Sequence, residues 1–358
     1  MYQIINFDRE EKYIKDFLKL PRLLYSKKEI AQNESEEKEL LLGKHLLSKY
    51  FKLNKFLVYK DSKVAARCVI TTYPNDSNAY IGFFECIYDE ECAKTLFQAV
   101  KEFCKRGNYK KIIGPVDASF WLKYRMKINK FEDRPYVSEP YNKKYYLDLF
   151  LKNDYSISET YISNIYKKLP RNFEKEKIRR RYEEFIKKGY KIVSPKKMDY
   201  NKAICEIYKM IIELYSDFPI FKYLNEEDFL KIFGNYKYIL DFSMVKLVYF
   251  KGETVAFFIG MPDYKNLLYR KFNLFTIINV LLKKIRSKNY VMLYMGVKKE
   301  HVGLGNAMTQ TIINNLQKRR STAIGAFIKE GKVTESYGKD TIEGKYKYVL
   351  LESSLQKH

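Results

Sequence analysis

The sequence predicts an α/β protein built of two similar units, and three observations carry that reading. The 358 residues exceed the size at which one hydrophobic core stops growing. Apolar residues at strand and helix spacing alternate in the order strand, helix, strands, helix, strand, and that order occurs twice. Residues 290–320 join a short apolar run, YVMLYMGV, to a glycine-containing loop and then to an amphipathic helix.

In the first half, residues 2–7 predict a strand and 10–20 a helix, followed by an acidic stretch at 33–39. The runs 56–59 and 64–71, separated by KDSK, predict a hairpin. A strand at 80–87 leads into a helix at 90–105 whose Ala93, Leu96, Phe97, Val100 and Phe103 share one face. The next strand is 111–116. Beyond Gly114-Pro115 the aromatic segment 118–146, holding the only tryptophan, Trp121, has no clean period and predicts a structured loop. A helix at 141–151 and a strand at 156–169 close the unit.

Pro170 breaks the chain. The charged helix 173–188, with Ile178, Tyr182, Phe185 and Ile186 on one stripe and Gly189 at its end, is expected to link two domains. The expected domains are 1–170 and 190–358, joined by 171–189. The second half brings a strand at 191–194, helices at 200–215 and 226–233, and a hairpin of 245–250 and 254–260 turned by KGE. A helix at 274–287 leads into the 290–320 stretch, and strands at 322–328 and 345–351 follow it.

Within that stretch Met308, Ile312, Ile313 and Leu316 lie at helical spacing. Gly303 and Gly305 can adopt backbone angles closed to other residues, so the N–H groups of 304–307 can converge at the helix start. The helix dipole favours a phosphate there. The matching turn in the first half carries Asp89, Glu90 and Glu91 and no glycine pair. Carboxylates at that place repel a phosphate, so the first unit is expected to lack a cofactor loop.

The run from Val297 to Ala307 resembles the acetyl-CoA signature of the GNAT N-acetyltransferases, Gln/Arg-x-x-Gly-x-Gly/Ala, a loop that cradles the cofactor's pyrophosphate. Its positions fall on Val302, Gly303, Leu304, Gly305, Asn306 and Ala307, with Val302 standing where Gln or Arg is usual. Together with MPDYKN at 261–266, GFFE at 82–85 and Gly114-Pro115, the run is similar to a bacterial family of two-domain GNAT proteins, N-acetyltransferases of unassigned substrate. The likeness covers nearly the whole chain. It implies two GNAT-type domains in tandem, each a mixed, mainly antiparallel sheet flanked by helices, with acetyl-CoA carried by the second as acyl donor.

An acetyl transfer needs a V-shaped opening beside the cofactor strand, backbone donors for the carbonyl, a deprotonated amine and an acid for the leaving thiolate. The resemblance implies Tyr337 as the acid, and Val297 as the strand residue whose backbone meets the pantetheine arm. Glu300 and His301, in the loop, are candidate bases, acting directly or through water. Asp263 reads as a turn residue. The acceptor amine belongs to a small molecule, a peptide or a protein. Two alternatives stay open: a tRNA-dependent aminoacyl transferase of related tandem-GNAT fold, and a non-catalytic protein that binds acyl-CoA or another ligand.

The composition, 46% hydrophobic and 31% charged, is that of a soluble globular protein. No apolar run approaches the ~20 residues of a spanning helix, and the N-terminus lacks a signal-peptide layout. A cytoplasmic location with no membrane partner is expected. Cys68, Cys86, Cys92, Cys104 and Cys205 lack metal-ligand spacing and read as reduced and structural, with no metal implied. The net charge of +24 admits a nucleic-acid partner. However, 53 of the 67 basic residues are lysine, the poorer residue for bidentate phosphate contacts. Most are spread along the chain, with clusters at 175–181 and 318–320, so a solvated basic surface is expected rather than a dedicated nucleic-acid site.

Overall fold

A computed structural model describes residues 1–270 and 273–356. The chain forms two compact units. The first comprises Met1–Tyr161, Leu268–Arg270 and the segment from Lys347 on; the second takes Ile162–Leu267 and the chain after Arg270 up to Tyr346.

In the first unit β1 (Tyr2–Phe7), α1 (Glu11–Leu24) and α2 (Glu34–Leu41) precede an antiparallel ladder of β2 (Lys52–Lys60), β3 (Lys63–Thr72) and β4 (Asn78–Cys86). The acidic stretch is α2. Its Glu34, Glu36 and Glu37 lie in the first turn, where the helix dipole favours negative charge, and Asn33 caps it by accepting from the Glu36 N–H at 3.4 Å. The β2–β3 turn is Asp61-Ser62, with φ of 48° and 62°, the two-residue form that suits the twist of a hairpin.

Helix α3 (Glu90–Arg106) buries Cys92, Ala93, Leu96, Phe97, Val100 and Cys104, and Phe97 stacks on Phe84 with ring centroids 5.2 Å apart. All five cysteines are free. Strand β5 (Lys111–Gly114) pairs in parallel with β4. The expected strand over 111–116 is cut there, because Pro115 has no N–H for the ladder. Val116–Asp117 (β6) pairs instead with Lys123–Tyr124 (β7), and Met126–Lys127 (β8) follows. Helix α4 (Tyr146–Leu151) starts later than the expected 141–151. Asn142 accounts for the delay by bonding as a strand residue would: its Oδ1 accepts the Lys127 N–H at 2.7 Å and its Nδ2 donates to the Lys127 carbonyl at 3.1 Å. Strand β9 (Ser156–Tyr166) begins in the first unit and ends in the second.

The second unit contains α5 (Glu176–Lys187), β10 (Lys191–Val193), α6 (Tyr200–Tyr215), α7 (Glu226–Phe233), β11 (Val245–Phe250), β12 (Glu253–Pro262), α8 (Leu274–Arg286), β13 (Asn289–Val297), α9 (Leu304–Arg319) and β14 (Thr322–Lys329). Its strand order is β14-β13-β12-β11-β10, antiparallel throughout except for the parallel pair β13–β14. Leu304, Ala307, Met308, Ile312 and Leu316 form the buried face of α9, and α5 packs against that helix.

The last strand, β15 (Ile342–Ser354), is longer than the expected 345–351, and its later residues belong to the first unit. Residues 351–354 pair antiparallel with β5, and Tyr348 and Val349 pair with β8. The first unit's sheet therefore runs β1-β2-β3-β4-β5-β15, mixed and mainly antiparallel like that of the second unit.

Candidate active site

Each unit carries a parallel strand pair among the described residues, and in each the pairing is short. Residues 78–80 of β4 register with 111–113 of β5, and residues 289–292 of β13 with 322–325 of β14. Just beyond each pairing the central strand bulges. On β13 Leu293 is the extra residue between Met292, opposite Gly260, and Tyr294, opposite Ile259. On β4 the three steps from Gly82 to Glu85 face two steps from Val69 to Arg67, and Phe83 takes a φ of 50°. A bulge bends and twists its strand, so the parallel partner is left behind and a V opens between the two.

In the first unit the chain beyond β5 crosses part of this V and leaves a cavity lined by Phe83, Glu85, Pro115, Asp117, Lys123 and Arg125. A Cβ on Gly82 would stand 2.0 Å from the Val116 carbonyl oxygen, and Asp117 Oδ1 accepts the Phe83 N–H at 2.5 Å. Burial pushes the Asp117 carboxyl up to about 6. At the head of α3, Asp89 accepts the Cys92 N–H at 3.0 Å and also takes the Tyr2 hydroxyl and Lys60 Nζ. Desolvation opposes ionisation there, but these bonds, led by that from Lys60, hold the carboxyl down at about 2. A charged carboxylate thus caps the helix end that a phosphate would need.

The second unit is built differently at the same place. Strand β13 ends at Val297, in register with Ala256, and the Lys298 N–H donates to the Val255 carbonyl at 3.0 Å. One 3₁₀ turn, Lys299–His301, leads to Gly303, which begins α9 with a φ of 92°, a left-handed angle that favours glycine. Gly303 has no side chain with which to cap the helix, so the first-turn amides of α9 are not taken by one. Arg181 of α5 reaches this loop: a Cβ on Gly303 would lie 3.4 Å from its Nε. A Cβ on Gly305 would lie 2.3 Å from the Tyr337 hydroxyl oxygen, so the phenol rests on the first turn of the helix. The Tyr337 carbonyl accepts from the Tyr166 hydroxyl at 2.9 Å, and Lys175 pairs with Asp340 at 2.5 Å, tying the segment to α5. Burial raises the Tyr337 phenol above its ordinary value.

Gly303, Leu304, Gly305, Asn306, Ala307 and Tyr337 therefore meet at the head of α9, with Leu304 and Ala307 buried as its anchors. Val302 is 85% exposed and brings no polar side chain. Glu300 is exposed. His301 is half-buried, with Nδ1 2.7 Å from the Tyr190 hydroxyl, and its ring stands edge-on to Tyr190 and Phe250, which stack on each other at 4.2 Å. One of its two nitrogens is thus engaged with Tyr190. Asp263 is a turn residue, accepting the Lys265 N–H at 2.9 Å. Arg181 escaped the sequence reasoning as a site residue; its only signal there was the basic cluster 175–181. A positive-φ glycine, a helix N-terminus without a side-chain cap and a nearby guanidinium together suit a diphosphate.

Two sheets, each split at a bulge on its central strand, define the tandem GNAT fold, that of the acyl-CoA N-acyltransferases. The chain is similar to a tandem GNAT protein from the clavulanic acid biosynthesis pathway, at 8% identity and a TM-score of 0.55, over 100% of both chains. It is also similar to a GCN5-related N-acetyltransferase from Sphaerobacter thermophilus, at 13% identity and a TM-score of 0.51, over 99% of this chain and 96% of that one. A GCN5-related glucosamine N-acetyltransferase region of a fungal multi-domain β-N-acetylglucosaminidase matches at 13% identity and a TM-score of 0.53, over 98% of this chain and 38% of that one. At such identities the likeness is one of fold. No family model and no curated protein sequence matches the chain.

Proposed function

We propose that the second unit is an N-acyltransferase that passes an acetyl group from acetyl-CoA to an amine. The observation that carries this reading is the meeting of Gly303, Gly305 and the Arg181 guanidinium at the head of α9, beside the V between β13 and β14. The backbone of 303–307 and Arg181 would hold the pyrophosphate, and Val297 would offer its backbone to the pantetheine arm. Bound acetyl-CoA supplies an activated thioester. Tyr337 is a phenol, protonated at neutral pH as an acid for a leaving thiolate must be, and burial raises its pKa further. Glu300, open to solvent, and His301, steadied by Tyr190, are the candidate bases for the amine. In this reading the first unit, whose α3 is capped by the charged Asp89 carboxylate, holds no second acyl-CoA.

Calorimetric titration of the nucleic-acid-free protein with acetyl-CoA tests the assignment. Saturable binding is expected, weakened about tenfold or more in Arg181→Ala, the cost of losing a charge-assisted bond to phosphate. Gly303→Asp, which sets a carboxylate on the loop, should abolish it. No binding at millimolar ligand, or unchanged affinity in both folded variants, overturns the reading. The net charge of +24 favours a second one, aminoacyl transfer from charged tRNA. Salt-sensitive tRNA binding without acetyl-CoA binding would select it. Binding of acetyl-CoA without turnover across an amine panel would leave a ligand-binding protein.

A further inference from the structure

A surface helix normally turns its apolar stripe to the core. α8 does the opposite. Leu274, Phe275, Ile278, Leu281, Leu282 and Ile285 are all exposed, by 43% to 73%, while Thr276 is buried. At 3.6 residues per turn these six side chains fall within an arc of about 120°. The helix is properly formed at its start, where Asn273 caps it by accepting the Thr276 N–H at 2.9 Å, and Ser287 is buried just past its end. An apolar face of this size on a finished helix calls for something to cover it.

The charge around the stripe indicates what that is. Between Asp263 and Glu300 the sequence has no acidic residue and nine basic ones. Lys283, Lys284 and Arg286 lie in the last turn of α8, and Lys284 donates to the Tyr238 carbonyl at 2.8 Å. Lys197 adds to this patch: burial first, then repulsion from Lys197, lowers the Lys284 pKa. Tyr238, whose ring lies under Lys197, is 54% exposed. A second copy of the chain would bring two basic rims together, with no carboxylate on either α8 to pair them. A nucleic acid would leave the apolar stripe in water. Anionic headgroups over acyl chains satisfy both features at once.

We propose that α8 docks flat on an anionic bilayer surface, its Leu274–Ile285 stripe entering the acyl boundary and its basic rim meeting the headgroup phosphates. The 13 residues of α8 span about 20 Å, less than the ~30 Å of hydrocarbon. Among the described residues no helix is long and apolar enough to cross a membrane, so α8 lies in the interface rather than through it. The expectation of no membrane partner rested on the lack of a spanning segment, a criterion that an in-plane helix does not meet.

Flotation of the full-length protein with vesicles tests this without reference to acyl-CoA. The protein is expected to float with phosphatidylcholine vesicles containing about a third phosphatidylglycerol, and not with phosphatidylcholine alone. Ile278→Glu with Ile285→Glu should lower the bound fraction about tenfold or more. Its thermal unfolding should not change, because both side chains already face water. Arg286→Glu should cause a smaller loss. Failure of the wild type to float with anionic vesicles overturns the proposal, as does equal flotation of the double variant. So does a dimer, seen by light scattering, that the double variant converts to monomer, since the stripe would then be a self-association face.

Discussion

Glu85 of β4 sits in one of the most heavily charged interiors of the molecule. Arg67 lies 2.8 Å from Glu37 and 3.9 Å from Glu85, while Glu85 also accepts the hydroxyls of Tyr25 and Tyr146 and the Gln32 amide. Burial outweighs the Arg67 charge and these bonds, and raises the Glu85 carboxyl from 4.5 to about 7. The folded protein thus holds this proton more tightly than the unfolded chain does. The stability it lends is complete below the unfolded value and is lost as pH rises through about 7. Denaturant unfolding from pH 5 to 8 should show stability falling by an amount on the order of 3 kcal/mol at most. Glu85→Gln should shrink that fall to the smaller part that Asp117, raised to about 6, contributes; a wild-type profile already flat would refute the assignment. Arg67→Met, which leaves two buried carboxylates without their cation, should cost about 3–5 kcal/mol at neutral pH. Conformational freedom was legible in the sequence at Gly303, whose φ is 92°, whereas Gly305 has no positive φ and lies within α9, where its missing Cβ makes room for the Tyr337 phenol. Sequence reasoning did not reach Arg181, whose contact with Gly303 depends on how α5 packs on α9, or the His301–Tyr190 pair, for the same reason.

Among the elements, periodicity located most strands and helices, and its misses have physical causes. Pro115 ended β5, and Asn142 delayed α4. The bulges at Phe83 and Leu293 were hidden because GFFE and YVMLYMGV are apolar nearly throughout, so one extra residue leaves the pattern of the run unchanged. Yet those bulges open the V in each sheet. The burial of α8 was equally illegible: its pattern is that of a core-packed helix, and only the fold shows the stripe facing out. The β2–β3 hairpin offers a direct test at this scale. Ser62 sits at a φ of 62°, a strain that glycine avoids. Ser62→Gly should stabilise the protein by roughly 1 kcal/mol, read as a higher urea midpoint at unchanged slope.

For the molecule as a whole, the defining connection is β15. Tyr348, Val349, Leu350 and Leu351 are buried, and their strand closes the sheet of the first unit against β5. Burying each such side chain stabilises by about 1.5–3 kcal/mol, so their sum is comparable with the stability of a whole domain. A chain ending at Tyr346 should lose amide-exchange protection along β5, while β13 and α9 keep theirs. Equal protection in both regions would show that β15 contributes little. The repeated order of elements was legible in the sequence, but a pairing between strands so far apart in the chain was not. That pairing also sets a timetable for synthesis. β5 is made early, and the strand that covers its open edge is made after β14, on the order of tens of seconds later at ~5–20 residues per second. Strands β10 to β14 are all in place before then, so the sheet of the second unit can close while that of the first still shows an unpaired edge to its surroundings.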